Sequence, residues 1–265
     1  MLSRIRIIDL GIAALAVISL FAFEAPRARA GDLPFDTSQY QDALKLADEA
    51  FAKGIIKTMG LLSMHRPYQG AATLGSSSAF EIGAEATFVR LPDDFGVALK
   101  AAGAPALTTP AIPVPRILLE KGLGENANLG FSYIAYKFFK IYGADFQVSL
   151  LKPEEQPWWS LRFTYSMARV SYITAQTFSP QLIVSRPMDF ADPYLGLAFI
   201  YVNGSFLFDL PQLGSSVEAE SSAYSASGIV GVKLRMPGLG IKLALEGSYN
   251  ISGAHTMGLS TGLGF

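Results

Sequence analysis

The sequence contains no cysteine, which excludes disulfide bonds and cysteine-based metal sites. Its two histidines, His65 and His255, are far apart in the chain and do not suggest a shared metal site, and no cofactor is expected. After residue 23, no uncharged apolar run approaches the roughly 20 residues that a membrane helix needs. Neither sign of charge dominates, with 21 Lys and Arg against 22 Asp and Glu, so nothing indicates nucleic-acid binding or an acidic tail.

Apolar residues are nevertheless abundant. They make up 50% of the 265 residues, and the mean hydropathy of +0.31 is high for a soluble domain. A transmembrane β-barrel combines much apolar surface with weakly hydrophobic strands, because it turns alternate residues toward the lipid. The composition therefore favours a barrel, and a soluble β-sandwich is the alternative.

The N-terminus has the features of an export signal. Arg4 and Arg6 form a basic region, residues 10–23 form an apolar run, and Ala28-Arg29-Ala30 matches an A-x-A cleavage site. We expect residues 1–30 to be a signal peptide that is cleaved after Ala30. An uncleaved anchor is the alternative.

Residues 31–77 differ in pattern from the rest of the chain. Asp36 and Gln39 resemble a helix start, and apolar residues then recur at helical spacing through Ile55. Gly54 and Gly60 weaken the helix beyond that point. The pattern predicts an N-terminal amphipathic helix followed by a linker, residues 65–78, in which His65 is solvated.

From Ser78 to Phe265 the period of the pattern changes to two, as in a barrel strand with one lipid-facing and one lumenal face. We predict an all-β, antiparallel barrel of ten strands, with eight and twelve as alternatives. Two long loops, 91–115 and 203–222, fall at the same end of this barrel. The predicted strands are 80–88, 117–123, 129–133, 142–150, 159–168, 172–186, 194–202, 224–236, 241–250 and 255–265.

The last predicted strand alternates apolar residues with small or polar residues and ends on an aromatic residue. In this it resembles the closing strand of bacterial outer-membrane β-barrels. The resemblance implies an outer-membrane location and a terminal signal that is read by the barrel-assembly machinery. The residues of this signal are Met257, Leu259, Leu263 and Phe265.

Three short runs are similar to an uncharacterised family of Gram-negative outer-membrane proteins. They begin at Pro115-Arg116, at Leu161-Arg162 and at Ser185-Arg186. The resemblance covers most of residues 60–265. It implies only the barrel, the signal peptide and the compartment, because the family has no assigned activity.

Charged residues of both signs are predicted to face the lumen. They could line a pore that selects solutes by charge, or they could fill the lumen with ion pairs, since unpaired charges in a narrow interior are costly. We favour the second interpretation, because a ten-stranded barrel is narrow. The residues are Glu81, Glu85, Asp145, Arg162, Lys233, Arg235, Lys242 and Glu246.

The predicted strand 194–202 is apolar on both faces. An apolar inner face would suit contact with the N-terminal helix, so we favour a helix inside the lumen over a helix in the periplasm. Inside the lumen, the helix would plug the barrel.

Catalysis has little support in the sequence. Ser260 lies in a G-x-S-x-G match, but that motif needs a strand that runs into a helix, and here the chain ends in a strand. His255, with Ser252 as nucleophile, could form a site at the membrane rim, but no acidic residue at a suitable spacing would orient the ring.

Three functions remain open for an exported outer-membrane barrel. The leading hypothesis is a narrow channel or transporter for small molecules, which the helix could plug. The second is a closed structural or interaction barrel that presents its outer loops, and the third is a lipid-modifying enzyme. The expected partners are outer-membrane lipids and the assembly machinery, and the expected state is a monomer.

Overall fold

A computed structural model describes residues 49–90, 111–136, 139–151, 157–170, 173–210, 215–236, 238 and 240–265. Ten strands pair antiparallel with their neighbours in the chain, and β1 pairs with β10 to close a barrel. The predicted fold and strand number are therefore confirmed. The strands are β1 (Phe80–Val89), β2 (Ile112–Gly122), β3 (Ala127–Tyr136), β4 (Phe139–Leu151), β5 (Trp158–Val170), β6 (Ile173–Ser185), β7 (Ala191–Leu210), β8 (Ser215–Arg235), β9 (Ile241–Asn250) and β10 (Thr256–Gly264).

The barrel has two mouths, which the chain order distinguishes. The mouth where β1 begins and β10 ends also holds the turns 123–126, 186–190 and 236–240, and we call it the termini mouth. The opposite mouth holds the turn 251–255 and the connection from β1 to β2, and we call it the loop mouth. Short turns at one mouth and a longer connection at the other are typical of outer-membrane barrels.

Two predicted boundaries are wrong. β2 begins at Ile112 rather than at 117, although Pro113 and Pro115 suggested a loop. The predicted long loop 203–222 is largely the end of a hairpin, because β7 and β8 stay paired as far as Leu210 and Ser215. Neither neighbouring strand extends as far, so this part of the hairpin is a two-stranded ribbon. A ribbon beyond the bilayer needs no lipid-facing residues. The Ser- and Glu-rich sequence of its β8 side, residues 215–222, is why the segment looked like a loop.

The outside of the barrel is apolar and the inside is mostly polar. Large side chains such as Phe131, Leu197 and Tyr224 are exposed on the outside, whereas Gln147, Ser160 and Thr164 are buried within. A closed barrel with this distribution is suited to a bilayer rather than to water. Trp158 and Trp159 point to opposite faces because they are adjacent in β5. Trp159 lies outside, and Trp158 packs against the lumenal core.

The N-terminal helix, α1 (Glu49–Ser63), lies inside the barrel against β5, β6, β7 and β8. The part of the predicted helix before residue 49 falls outside the described residues. α1 continues through Gly54 and Gly60, which were expected to weaken it, and the chain then runs without helix or strand to β1. We call residues 49–78 the plug. Within the described part of the chain, no helix is both long and apolar enough to cross a membrane.

Candidate functional site: the plugged lumen

The plug passes through the lumen from the loop mouth to the termini mouth. Near the loop mouth, Ile56 and Leu61 pack in an apolar cluster with the inward residues Ala198, Ile200 and Val202 of β7. The carbonyl of Gly60 accepts a hydrogen bond from the Thr177 hydroxyl of β6 at 3.0 Å. The apolar inner face of β7 thus contacts the helix, as its sequence suggested.

Below the helix, the plug is held by polar groups of the wall. The carbonyl of Ala71 accepts from the Ser149 hydroxyl at 2.8 Å, and its amide donates to the Ser185 hydroxyl at 2.9 Å. Nearer the termini mouth, the Leu74 amide donates to the Asn128 side chain at 3.0 Å. This segment has no helix or strand to pair its backbone groups, so groups of the wall supply these hydrogen bonds. Residues 65–72 of the predicted linker are thus buried against the wall, whereas Gly75, Ser77 and Ser78 at its end are exposed.

The His65 side chain bonds the plug to two strands of the wall, β3 and β4. Its Nε2 lies 2.8 Å from Asp145 Oδ1, and its Nδ1 lies 2.8 Å from Ser132 Oγ. The histidine is 1% exposed, which contradicts the expected solvated position. Serine, histidine and aspartate together are the residue types of a nucleophilic triad. All three side chains are buried between the plug and the wall. They therefore clamp the plug to β3 and β4, and a substrate has no access to them.

Arg162 provides a second clamp from β5. Its guanidinium donates to the Gln147 side-chain oxygen at 2.7 Å and to the backbone carbonyls of Gln69 and Gly70 in the plug. Gln147 in turn donates to the Gly70 carbonyl at 3.0 Å. This charge was predicted to face the lumen, and there it binds the plug backbone.

At the termini mouth, three of the predicted lumenal charges meet. Glu81 Oε2 accepts from Lys233 Nζ at 3.1 Å and from Lys242 Nζ at 2.5 Å. Opposite charges in contact at a partly buried site are compensated, which is the arrangement favoured from the sequence.

The remaining predicted charges also lie on the lumenal side. Glu85 is 3.4 Å from Arg116, and Glu246 accepts from the Tyr194 hydroxyl at 2.8 Å. Arg235 lies near the termini mouth, partly exposed, at 3.7 Å from Asp192. Acidic and basic groups are thus mixed around the wall, and no belt of a single sign forms among these residues.

Among the described residues of the barrel wall, three buried charges were missed in the sequence. Arg116 and Asp192 lay just outside the predicted limits of β2 and β7, so their inward parity was not considered. Glu120 lay within the predicted β2 strand but was not selected. Extending the alternation of each strand by a few residues would have identified the first two.

Glycines shape the lumen to fit the plug. A Cβ atom at Gly143 would lie 2.8 Å from the His65 ring, and one at Gly70 would lie 2.5 Å from Asp192. A cavity between plug and wall, beside Tyr68 and Glu120, measures about 10 Å³, room for about one water molecule. With the plug in place, this part of the lumen is filled.

The catalytic candidates lie elsewhere. The His255 ring stacks on Tyr249 with 4.4 Å between ring centroids. The Ser252 hydroxyl lies 2.6 Å from that of Ser225, and Ser260 faces the lumen from β10. The structure gives Ser252 a serine partner and does not bring a carboxylate to this part of the described rim.

The four residues of the predicted assembly signal lie on the outer face of the last strand. Met257, Leu259, Leu263 and Phe265 are all exposed. Phe265 and Phe80 exchange backbone hydrogen bonds of 2.8 and 3.0 Å where the barrel closes. Recognition by the assembly machinery stays a prediction.

No family model matches the chain, and no curated protein matches its sequence. Several solved β-barrels are similar in structure. The N-terminal β-barrel domain of Pseudomonas aeruginosa OprF shares 16% identity and covers 72% of this chain and 99% of its own, with a TM-score of 0.34. The translocator domain of the Neisseria meningitidis autotransporter NalP shares 10% identity and covers 86% and 96%, with a TM-score of 0.38.

The outer-membrane protease OmpT of Escherichia coli shares 9% identity and covers 71% of this chain and 97% of its own, with a TM-score of 0.37. The proteins similar to this chain therefore differ in activity. The fold itself rests on the strand pairing and the apolar exterior of the chain, which are those of an outer-membrane β-barrel.

Proposed function

We propose that this protein is a closed outer-membrane barrel that acts as a structural or interaction platform and does not conduct as an open pore. The observation that carries the proposal is the occupied lumen. The plug enters at one mouth, leaves at the other, and is hydrogen-bonded to the wall along its course.

The ribbon at the end of β7 and β8 is the feature that such a platform would present. These strands have 20 and 21 residues, about twice the 9 to 11 that cross a bilayer. Beyond Phe206, β7 has β8 as its only partner in the described register, and the same holds for β8 before Ser227. Exposed strand edges are suitable for pairing with an extended segment of another protein.

Single-channel conductance in a planar bilayer tests this function. We expect the refolded mature chain, residues 31–265, to be silent, whereas a chain that starts at Ser76 should conduct because the plug is missing. Migration that changes on heating would verify that each chain has folded. Steady conductance by the mature chain would refute the closed-barrel proposal.

A gated channel is the second candidate, and the polar wall favours it. If the plug moved out, Arg116, Asp145 and Arg162 would line the lumen. A gated channel predicts brief openings of the mature chain. Gly70→Ala should make them more frequent, because its methyl group would meet Asp192, whereas Gly54→Ala, which meets nothing within 4 Å, should not.

A further inference from the structure

Near the loop mouth, the described pairing of β2 with β3 stops before either strand ends. The pairing of these strands ends at Ile117 and Tyr133. β2 continues to pair with β1 as far as Ile112, and β3 continues to pair with β4 as far as Tyr136. Residues 112–116 and 134–136 thus face each other without a described register, and we call this place the seam.

Two prolines explain the seam. The Gly122 amide donates to Ala79 on the β1 side, and the next amide, of Leu123, donates to Ala127 on the β3 side. The backbone N–H and C=O groups of successive residues in a strand point to opposite sides. Those of the odd-numbered residues of β2 therefore point toward β3. Pro113 and Pro115 are odd-numbered and have no N–H to donate, so β3 receives no hydrogen bond from them.

The register also places Pro115 opposite Ala135. If the register is continued by two residues beyond the pair Ile117 and Tyr133, Pro115 lies opposite Ala135. The carbonyl of Ala135 therefore lacks the donor that a ladder would supply. In the hydrocarbon layer an unpaired carbonyl is costly, so a ligand that brings a donor is favoured there.

The lumen behind the seam combines an apolar cluster with a buried charge, Arg116, whose guanidinium donates to the Leu62 carbonyl at 3.2 Å. Leu62 and Val114 are buried there in a cluster with Val89, Ile141 and Ala168. Met59, Ile112, Ile134 and Phe139 pack on this cluster and are only partly buried. Met59 and Leu62 belong to α1, so the helix meets the wall at this cluster as well as along β5 to β8.

We propose that the seam is a lateral entry site for a membrane lipid, whose acyl chain passes between β2 and β3 and rests on Met59, Ile112 and Ile134. The outer side of the seam faces the bilayer, since Pro113, Pro115 and Ala135 are exposed. The molecules in contact with it there are lipid acyl chains. An amide or hydroxyl near the head of the lipid would supply the donor for Ala135. This site does not depend on whether the barrel conducts ions.

Photo-crosslinking tests the site directly. The full mature chain would be refolded in vesicles that contain a phospholipid with a diazirine in its acyl chain, and the crosslinked residues would be mapped by mass spectrometry. We expect crosslinks on Met59, Ile112 or Ile134, as well as on the lipid-facing Leu197. Ile200, which is buried on the inner side of β7, should stay unlabelled. Labelling of Leu197 without labelling behind the seam would overturn the proposal.

A variant that repairs the ladder makes the test sharper. Pro113→Thr together with Pro115→Thr restores two N–H donors toward β3 and should reduce the crosslinks behind the seam at least fivefold, with Leu197 unchanged. Pro193→Thr is the matched control, because Pro193 is an exposed strand proline in β7, far from the seam. If the double variant folds and its lumenal crosslinks persist at full strength, the seam is not the route.

Discussion

At the scale of single residues, the fit between plug and wall depends on missing side chains. Gly143 in β4 leaves room for the His65 ring, and Gly258 in β10 leaves room for Tyr68. Gly70, on the plug itself, leaves room for Asp192. Such close approach requires glycine, because any Cβ atom would overlap the neighbouring group.

Gly143→Ala should therefore destabilise the protein by about 1 to 3 kcal/mol, the usual cost of overpacking. Its methyl group would meet Ser132 and the His65 ring and disturb the clamp. Gly228→Ala is the matched control on the outer face, where nothing lies within 4 Å, and it should be neutral or slightly stabilising. Denaturant unfolding of the refolded proteins measures both changes. An equal effect of the two substitutions would show that Gly143 does not hold space for the plug.

At the scale of elements, α1 shows how packing outweighs helix propensity. It contains two glycines, and each costs roughly 1 kcal/mol relative to alanine in a helix interior. Gly54 has open space around it, whereas Gly60 lies directly against Val202 and Thr177. The second glycine is therefore required by the contact with the wall.

The two alanine substitutions in α1 should consequently have opposite signs. Gly54→Ala should stabilise the plugged barrel by about 0.5 to 1 kcal/mol through helix propensity. Gly60→Ala should destabilise it, because overlap with Val202 outweighs the same gain. Unfolding curves of the two variants, recorded under identical conditions, provide the comparison. Stabilisation by both would mean that α1 does not pack against β6 and β7.

The sequence predicted the strands well, because the period-two alternation is imposed by lipid on one side and a polar lumen on the other. The prediction failed where the chain contacts the inner wall of the barrel instead of lipid. The plug below α1 has no regular pattern, since its partners are hydrogen-bonding groups such as Ser149 and Asn128 that lie far away in the chain. His65 contacts Ser132, 67 positions later in the chain, and Asp145, 80 positions later. No local spacing in the sequence reveals contacts over such separations.

At the scale of the whole molecule, the plug runs through the barrel from the loop mouth to the termini mouth. Lys53, in α1, is exposed near the loop mouth, and Ser77 is exposed at the termini mouth. In single-chain outer-membrane barrels the short turns are periplasmic and the longer loops are outside. The two ends of the plug should therefore lie on opposite sides of the outer membrane.

Cysteine labelling of intact cells measures this arrangement, and the absence of native cysteine makes it simple. We expect a membrane-impermeant maleimide to label Lys53→Cys from outside, and Ser77→Cys only after the outer membrane has been permeabilised. Ser222→Cys, exposed on β8 toward the loop mouth, is the reference for the outer side. Labelling of Lys53→Cys and Ser77→Cys from the same side would contradict a threaded plug.

The junction of β1 with β10 also sets an order for biogenesis. The plug leaves the ribosome before any strand of the wall, yet Thr177, which holds Gly60, lies 117 positions later in the chain. The ring cannot close until the last strand has arrived. Contacts between such distant residues form slowly, because the entropy of a long loop must be lost first. The plug must therefore wait for its partners in the wall before it can be held inside the lumen.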